Sequence, residues 1–253
     1  MHKFKEAVDQ VQQQVPFNNM TYLFQHAGIE TPPALGGNCS HMVERVKELC
    51  ASERDLVLRS IQAEDYCHEA VVCEDSSGEM FFADPSFYMT ELVSLPQLFK
   101  KGGRRVRSFP RYLSMWTESK FEPKSSTCFG VKRVLFGHHA MGGYTYDLQH
   151  GFNDRAPFHG ARNVEIDEMV SERFRYDVLL NGRAGKIYFS PENRRISVGL
   201  LGDSRMMVSP ENVRAQKLLE RICKVSGIDP EELKVYFEIA AGIQTAIFED
   251  LRI

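Results

Sequence analysis

The sequence predicts an α+β fold with an N-terminal helical bundle, a central antiparallel β-sheet or barrel, and a C-terminal helical lid. Three patterns carry that expectation. Apolar residues recur at three- and four-residue intervals near the N-terminus, the period changes to two from about residue 66, and helical stretches bracketed by capping residues return after residue 206. The expected divisions are 1–65, helical; 66–205, β-rich; and 206–253, helical.

Residues 3–14 place Phe4, Val8 and Val11 on one helical stripe. "VPFNNM" at 15–20 ends that helix, because Pro16 restricts its predecessor and Asn18-Asn19 favour a turn. "ETPPALGG" at 30–37 reads as a rigid loop leading to a second helix that starts at Cys39. Its buried stripe is Cys39, Met42, Val43, Val46, Leu49 and Cys50. "HEAVV" and "EMFFADP" flank "EDSSG" and form a β-hairpin. A five-residue loop, Glu74–Gly78, sets Cys73 opposite Glu79 and His68 directly across from Asp84 on one face. A four-residue loop sets them on opposite faces. Three strands follow within 174–201, with turns at "NGRAG" and "PENR". Two helices close the sequence. Ser209 and Pro210 open the first and Gly227 ends it; Asp229 and Pro230 open the second.

The 253 residues carry a net charge of -3, with 43% hydrophobic and 26% charged residues. That balance gives no electrostatic reason to expect nucleic-acid or membrane binding. No apolar run approaches the ~18–20 residues of a membrane span. "MHKFKEAVDQVQQQ" lacks the apolar stretch of a secretory signal, so the expected location is cytoplasmic. The six cysteines form no CxxC pair and no zinc spacing, and free thiols in a reducing compartment are expected.

A cysteine nucleophile needs a lowered thiol pKa, a base within reach and a group that orients the base. Cys39 begins a helix, where the macrodipole and unpaired N–H groups favour thiolate and can hold an oxyanion. Gly36 and Gly37 let backbone or substrate come close. His68 on one strand and Asp84 on its hairpin partner supply base and orienting carboxylate. Taken singly, each has a plainer reading: a small core thiol, a satisfied histidine, a turn aspartate. In this order they favour a triad.

"PFNNM", "GGNCSHMVERV" and "HEAVVCEDSSGEMFFADPSF", with the helical C-terminus, resemble the arylamine N-acetyltransferase family. That family belongs to the wider transglutaminase-like and papain-like (cysteine-proteinase-like) group of Cys-His-Asp enzymes. The resemblance is best over residues 15–90. It implies a nucleophile at Cys39, a base at His68, an orienting carboxylate at Asp84, and ping-pong chemistry in which an acyl-CoA acylates the cysteine and an amine takes the acyl group. Gly37, Asn38, Phe17 and His139 are the candidate substrate contacts. The sequence departs from the family at Leu35, where Arg is usual, at Ser40, where Phe is usual, and at "DPSF" after the hairpin. These changes alter the pocket and point to a divergent acyltransferase or amide synthase, as in natural-product biosynthesis. Its co-substrate is an acyl-CoA or an acyl carrier protein, its acceptor a small-molecule amine, and no bound cofactor or metal is implied. The alternative is a transglutaminase-like or papain-like cysteine peptidase or amidase, with which the same triad is compatible.

Two further stretches are notable. "KKGGRRVR" places five basic residues within Lys100–Arg107, suited to CoA phosphates or an acidic carrier protein, or simply a solvated loop. "FGHHAMGGYTYDLQHGFNDRAPFHG" holds His138, His139, His150 and His159 with Asp147 and Asp154, in no metal-ligand spacing. It reads as an irregular segment lining the substrate cleft opposite the triad.

Overall fold

The computed structural model describes residues 1–64, 68–112, 115–135, 139–153, 173–180, 183–200 and 205–250. The chain divides into two compact units, Met1–Gln12 with Cys39–Pro157, and Gln13–Asn38 with Phe158–Ile253. Among the described residues all named strands are antiparallel, in three sheets, and none of the sheets closes into a barrel.

The helices are α1 (His2–Gln14), α2 (Thr21–His26), α3 (Cys39–Cys50), α4 (Leu95–Lys101), α5 (Val213–Ser226) and α6 (Pro230–Asp250). In the first unit, one sheet runs β10-β2-β3-β4-β5, built from Phe152–Asn153, Leu56–Gln62, Glu69–Asp75, Met80–Ala83 and Val93–Ser94. A second runs β6-β7-β8-β9, from Arg104–Tyr112, Met115–Pro123, Cys128–Leu135 and His139–Asp147. Ala70, Val72 and Phe82 of the first sheet and Phe121, Phe129 and Tyr146 of the second share one buried cluster. Phe82 meets Phe121, Phe129 and Tyr146 edge-on, an arrangement aromatic rings prefer to eclipsed stacking. This core fixes the strands from which the candidate site is built.

The second unit holds the sheet β1-β11-β12-β13-β14, from Phe17–Asn18, Phe174–Leu180, Arg183–Ser190, Arg195–Leu200 and Met206–Met207. Phe24, Phe174, Phe189, Ile222 and Phe237 anchor its core with α2, α5 and α6. Burying each such side chain contributes about 1.5–3 kcal/mol.

The α3 stripe is as expected: Cys39, Met42, Val43, Val46 and Cys50 are buried, with Leu49 half-buried. Other expectations are corrected. "LVLRSIQ" forms strand β2 within the segment expected to be helical. The α5 cap is Asn212, whose Oδ1 accepts the Ala215 N–H at 3.1 Å, rather than Ser209. Asp229 does cap α6, accepting from the Glu231 and Glu232 amides at 2.8 and 3.3 Å. "KKGGRRVR" is the end of α4 and the start of β6, not a loop, and Arg104 and Arg105 pair with Glu91 and Glu118. No helix among the described residues is long and apolar enough to cross a membrane.

Candidate active site

The hairpin loop is shorter than expected. Glu74 pairs with Met80 and Val71 with Ala83, and the Asp75 amide bonds the Glu79 carbonyl at 3.1 Å. The tight turn is held by Asp75 Oδ1, which accepts from the Ser77 amide and hydroxyl and from the Glu79 amide. One step beyond the Val71–Ala83 pair, Asp84 stands opposite Ala70, not His68. The shift is two residues, so the parity that sets the face is unchanged. His68 reaches Asp84 along the diagonal, and His68 Nε2 lies 2.7 Å from Asp84 Oδ2.

Asp84 is fixed by the residues after it. Its backbone is extended, and its side chain caps the short 3-10 turn Pro85–Phe87. Oδ1 accepts from the Ser86 amide (3.1 Å), the Ser86 hydroxyl (2.7 Å) and the Phe87 amide (3.2 Å). Oδ2 is thereby left for His68. Pro85 suits the first position of the turn, since its missing N–H would have no partner there. Tyr88 ends the turn in the left-handed region at φ 53°, an uncommon conformation for a residue with a side chain. Ser86 was not singled out from the sequence, although "DPSF" carries the signal of an Asp-capped turn with proline at its first position.

Cys39 opens α3, is 3% exposed, and sits close enough to His68 to act on the charge of its ring. With Nε2 given to Asp84, Nδ1 is the ring nitrogen left to face another group. Burial by itself lowers the His68 pKa. The charges and hydrogen bonds of Asp84 and Cys39 outweigh it and raise the pKa well above 6.5. A histidine whose charged form is favoured, set beside a carboxylate and a thiol, suits a thiolate–imidazolium pair.

The ring faces are also occupied. Tyr144 of β9 stacks on His68 with centroids 4.1 Å apart, and Phe87 lies against it at 5.4 Å. Tyr144 comes from the His-rich segment expected to be irregular, which over His139–Asp147 is strand.

Phe17, Gly37 and Asn38 belong to the second unit. Phe17 and Gly37 form a β-bridge: the Gly37 amide bonds the Pro16 carbonyl, and the Asn18 amide bonds the Gly37 carbonyl, both at 3.0 Å. Gly36 has φ +71°, and a Cβ there would lie 2.0 Å from the Pro16 carbonyl oxygen. Its lack of a side chain thus serves this backbone crossing. Asn38, the residue before Cys39, is fully buried. His139 begins β9, and His150 pairs with Asp147 on the surface. His138, His159, Asp154 and Cys67 lie outside the described residues. Among the described residues no group of three or more His, Cys, Asp or Glu is arranged to hold a metal ion.

No protein-family model and no curated protein matches the sequence. Among solved structures, the chain resembles a cysteine-to-glutamine variant of Mycobacterium smegmatis arylamine N-acetyltransferase. The TM-score is 0.52 at 12% identity, over 95% of this chain and 90% of that one. It also resembles Mycobacterium marinum arylamine N-acetyltransferase, solved in complex with CoA, with TM-score 0.50 at 9% identity over 93% and 91% of the two chains. These likenesses establish the fold, an α+β arrangement shared with arylamine N-acetyltransferases.

Proposed function

We propose that the protein is an acyltransferase that moves an acyl group from a thioester to an amine through an acyl-Cys39 intermediate. The observation that carries this reading is the His68 ring, bonded to Asp84 through Nε2 and near enough to Cys39 for that thiol to act on its charge. The fold supports transfer chemistry, and the CoA-bound neighbour supports a CoA thioester as donor.

In the first half-reaction the Cys39 thiolate attacks the thioester carbonyl and a C–S bond forms. The oxyanion is stabilised by N–H groups in the first turn of α3, which have no carbonyl partner within the helix. The donor C–S bond then breaks, and the departing thiolate takes the His68 proton. In the second, the amine nitrogen attacks the acyl-Cys39 carbonyl, His68 accepts its proton, and the Cys39 thiolate leaves. Asp84 holds the imidazole orientation throughout and balances its positive charge.

The test is to incubate the protein with a panel of acyl-CoAs and acyl carrier proteins, each with and without primary amines, beside Cys39→Ala. The expected result is donor thiol release with an amide product, both lost in Cys39→Ala. Release of free acid with no amide from any amine supports the hydrolase alternative instead.

A further inference from the structure

The His68 ring is held on its faces as well as its edges. The Tyr144 ring lies parallel to it, with centroids 4.1 Å apart and planes 6° apart. Phe87 lies at 5.4 Å and 36°, and Tyr144 and Phe87 touch each other at 5.8 Å. Aromatic rings generally avoid a close face-to-face sandwich, because their negative faces repel. A cation over such a face is attracted instead. The parallel stack sets the His68 ring over the Tyr144 face, where a protonated imidazole is attracted.

We propose that Tyr144 is a positioning residue for the acyl-transfer cycle: its ring face holds His68 in line with Cys39 and stabilises the imidazolium that forms there. This rests on the acyl-transfer reading of the same site and adds a role that neither the Cys-His-Asp arrangement nor the fold implies. Among the described residues, the charged and titratable groups shown against the ring are Asp84 just after β4, Cys39 on α3 and the Tyr144 phenol on β9, with Arg133 of β8 over the neighbouring Phe87 ring. The Arg133 guanidinium stands 5.8 Å over the Phe87 ring. Burial disfavours the imidazolium, and Asp84 and Cys39 favour it. Substitution of Tyr144 leaves Asp84, Cys39 and Arg133 in place, so a change in His68 titration reports the stack.

The experiment is an NMR pH titration of protein labelled with 13C at histidine Cε1, with the His68 signal assigned by its loss in His68→Gln. Tyr144→Phe keeps an aromatic face and is expected to titrate with the wild type. Tyr144→Leu is expected to lower the His68 midpoint by about half to one pH unit. Pentafluorophenylalanine at position 144 keeps the shape of the ring but reverses the sign of its face, and is expected to lower the midpoint as well. It decides the matter if Tyr144→Leu fails to fold. An unchanged midpoint in a folded Tyr144→Leu, or with the fluorinated ring, overturns the proposal. A different result sinks the underlying reading: a wild-type His68 with an ordinary midpoint, together with a Cys39 that iodoacetamide alkylates no faster than the other thiols.

Discussion

His68 and Asp84 meet along a diagonal of the β3–β4 hairpin, with Nε2 and Oδ2 2.7 Å apart. The other carboxylate oxygen is consumed by Ser86 and Phe87. Asp84 thus has one free acceptor and one direction in which to offer it, which fixes the orientation of the imidazole before any substrate arrives.

Asp84→Asn tests that arrangement. The Asn carbonyl can replace Oδ1 at the turn, so the fold and melting temperature are expected to change little. The amide nitrogen then faces His68 Nε2 as a donor and turns the ring to the wrong tautomer. Acyl-enzyme formation is expected to fall by on the order of 10³–10⁴. A loss under tenfold contradicts the assigned role.

Thiol reactivity should be selective. Burial pushes the Cys73 and Cys223 thiols up to about 12 and raises that of Cys50. Cys39 is buried too, but it stands at a helix N-terminus beside a histidine whose charged form is favoured. Iodoacetamide near neutral pH is expected to label Cys39 while Cys50, Cys73 and Cys223 stay unmodified, as read by peptide mass mapping. Uniform labelling of the four contradicts the activated thiol.

Gly36→Ala is expected to be severely destabilising. The residue sits at φ +71°, and the new methyl would lie 2.0 Å from a backbone oxygen that cannot rotate away. Left-handed backbone costs about 1–2 kcal/mol for a residue with a side chain, and the clash adds to that. Urea unfolding measures it, and a loss below about 1 kcal/mol would be inconsistent with this crossing of Pro16 and Gly36.

Asp177 gives a prediction with a pH signature. It is 1% exposed and accepts from Arg175 Nε at 2.7 Å and Lys186 Nζ at 2.8 Å. Burial raises its pKa, but the two cations outweigh burial and hold it below the ordinary carboxylate value. A depressed folded-state pKa contributes stability that is present above the unfolded value near 3.9 and lost as pH falls through the folded one. Asp177→Ala takes the carboxylate partner from the buried Lys186 ammonium and is expected to cost about 3–5 kcal/mol at pH 7. The gap from wild type should narrow below about pH 4. A gap that is constant down to pH 2 contradicts the pairing.

Much of this was legible in the sequence because it rests on period and parity. The α3 stripe follows from three- and four-residue spacing, and β11, β12 and β13 from alternation broken by turn residues. The shared face of His68 and Asp84 depends only on whether the loop count is odd or even. Their diagonal offset depends on Asp75 closing the turn early, which the strand pattern does not encode. Strand β2 was hidden because most of its residues are only half-buried and its alternation is weak. Tyr144 was hidden because stacking on His68 is a contact between two sheets, set by tertiary packing rather than local pattern.

The most direct test of the central claim is intact-mass spectrometry of the protein after brief exposure to acyl-CoAs, beside Cys39→Ala. The account predicts a mass gain equal to the acyl group, absent from Cys39→Ala and discharged when an accepted amine is added. A wild-type protein whose Cys39 is alkylated quickly yet gains no acyl mass from any CoA or carrier-protein thioester would contradict it.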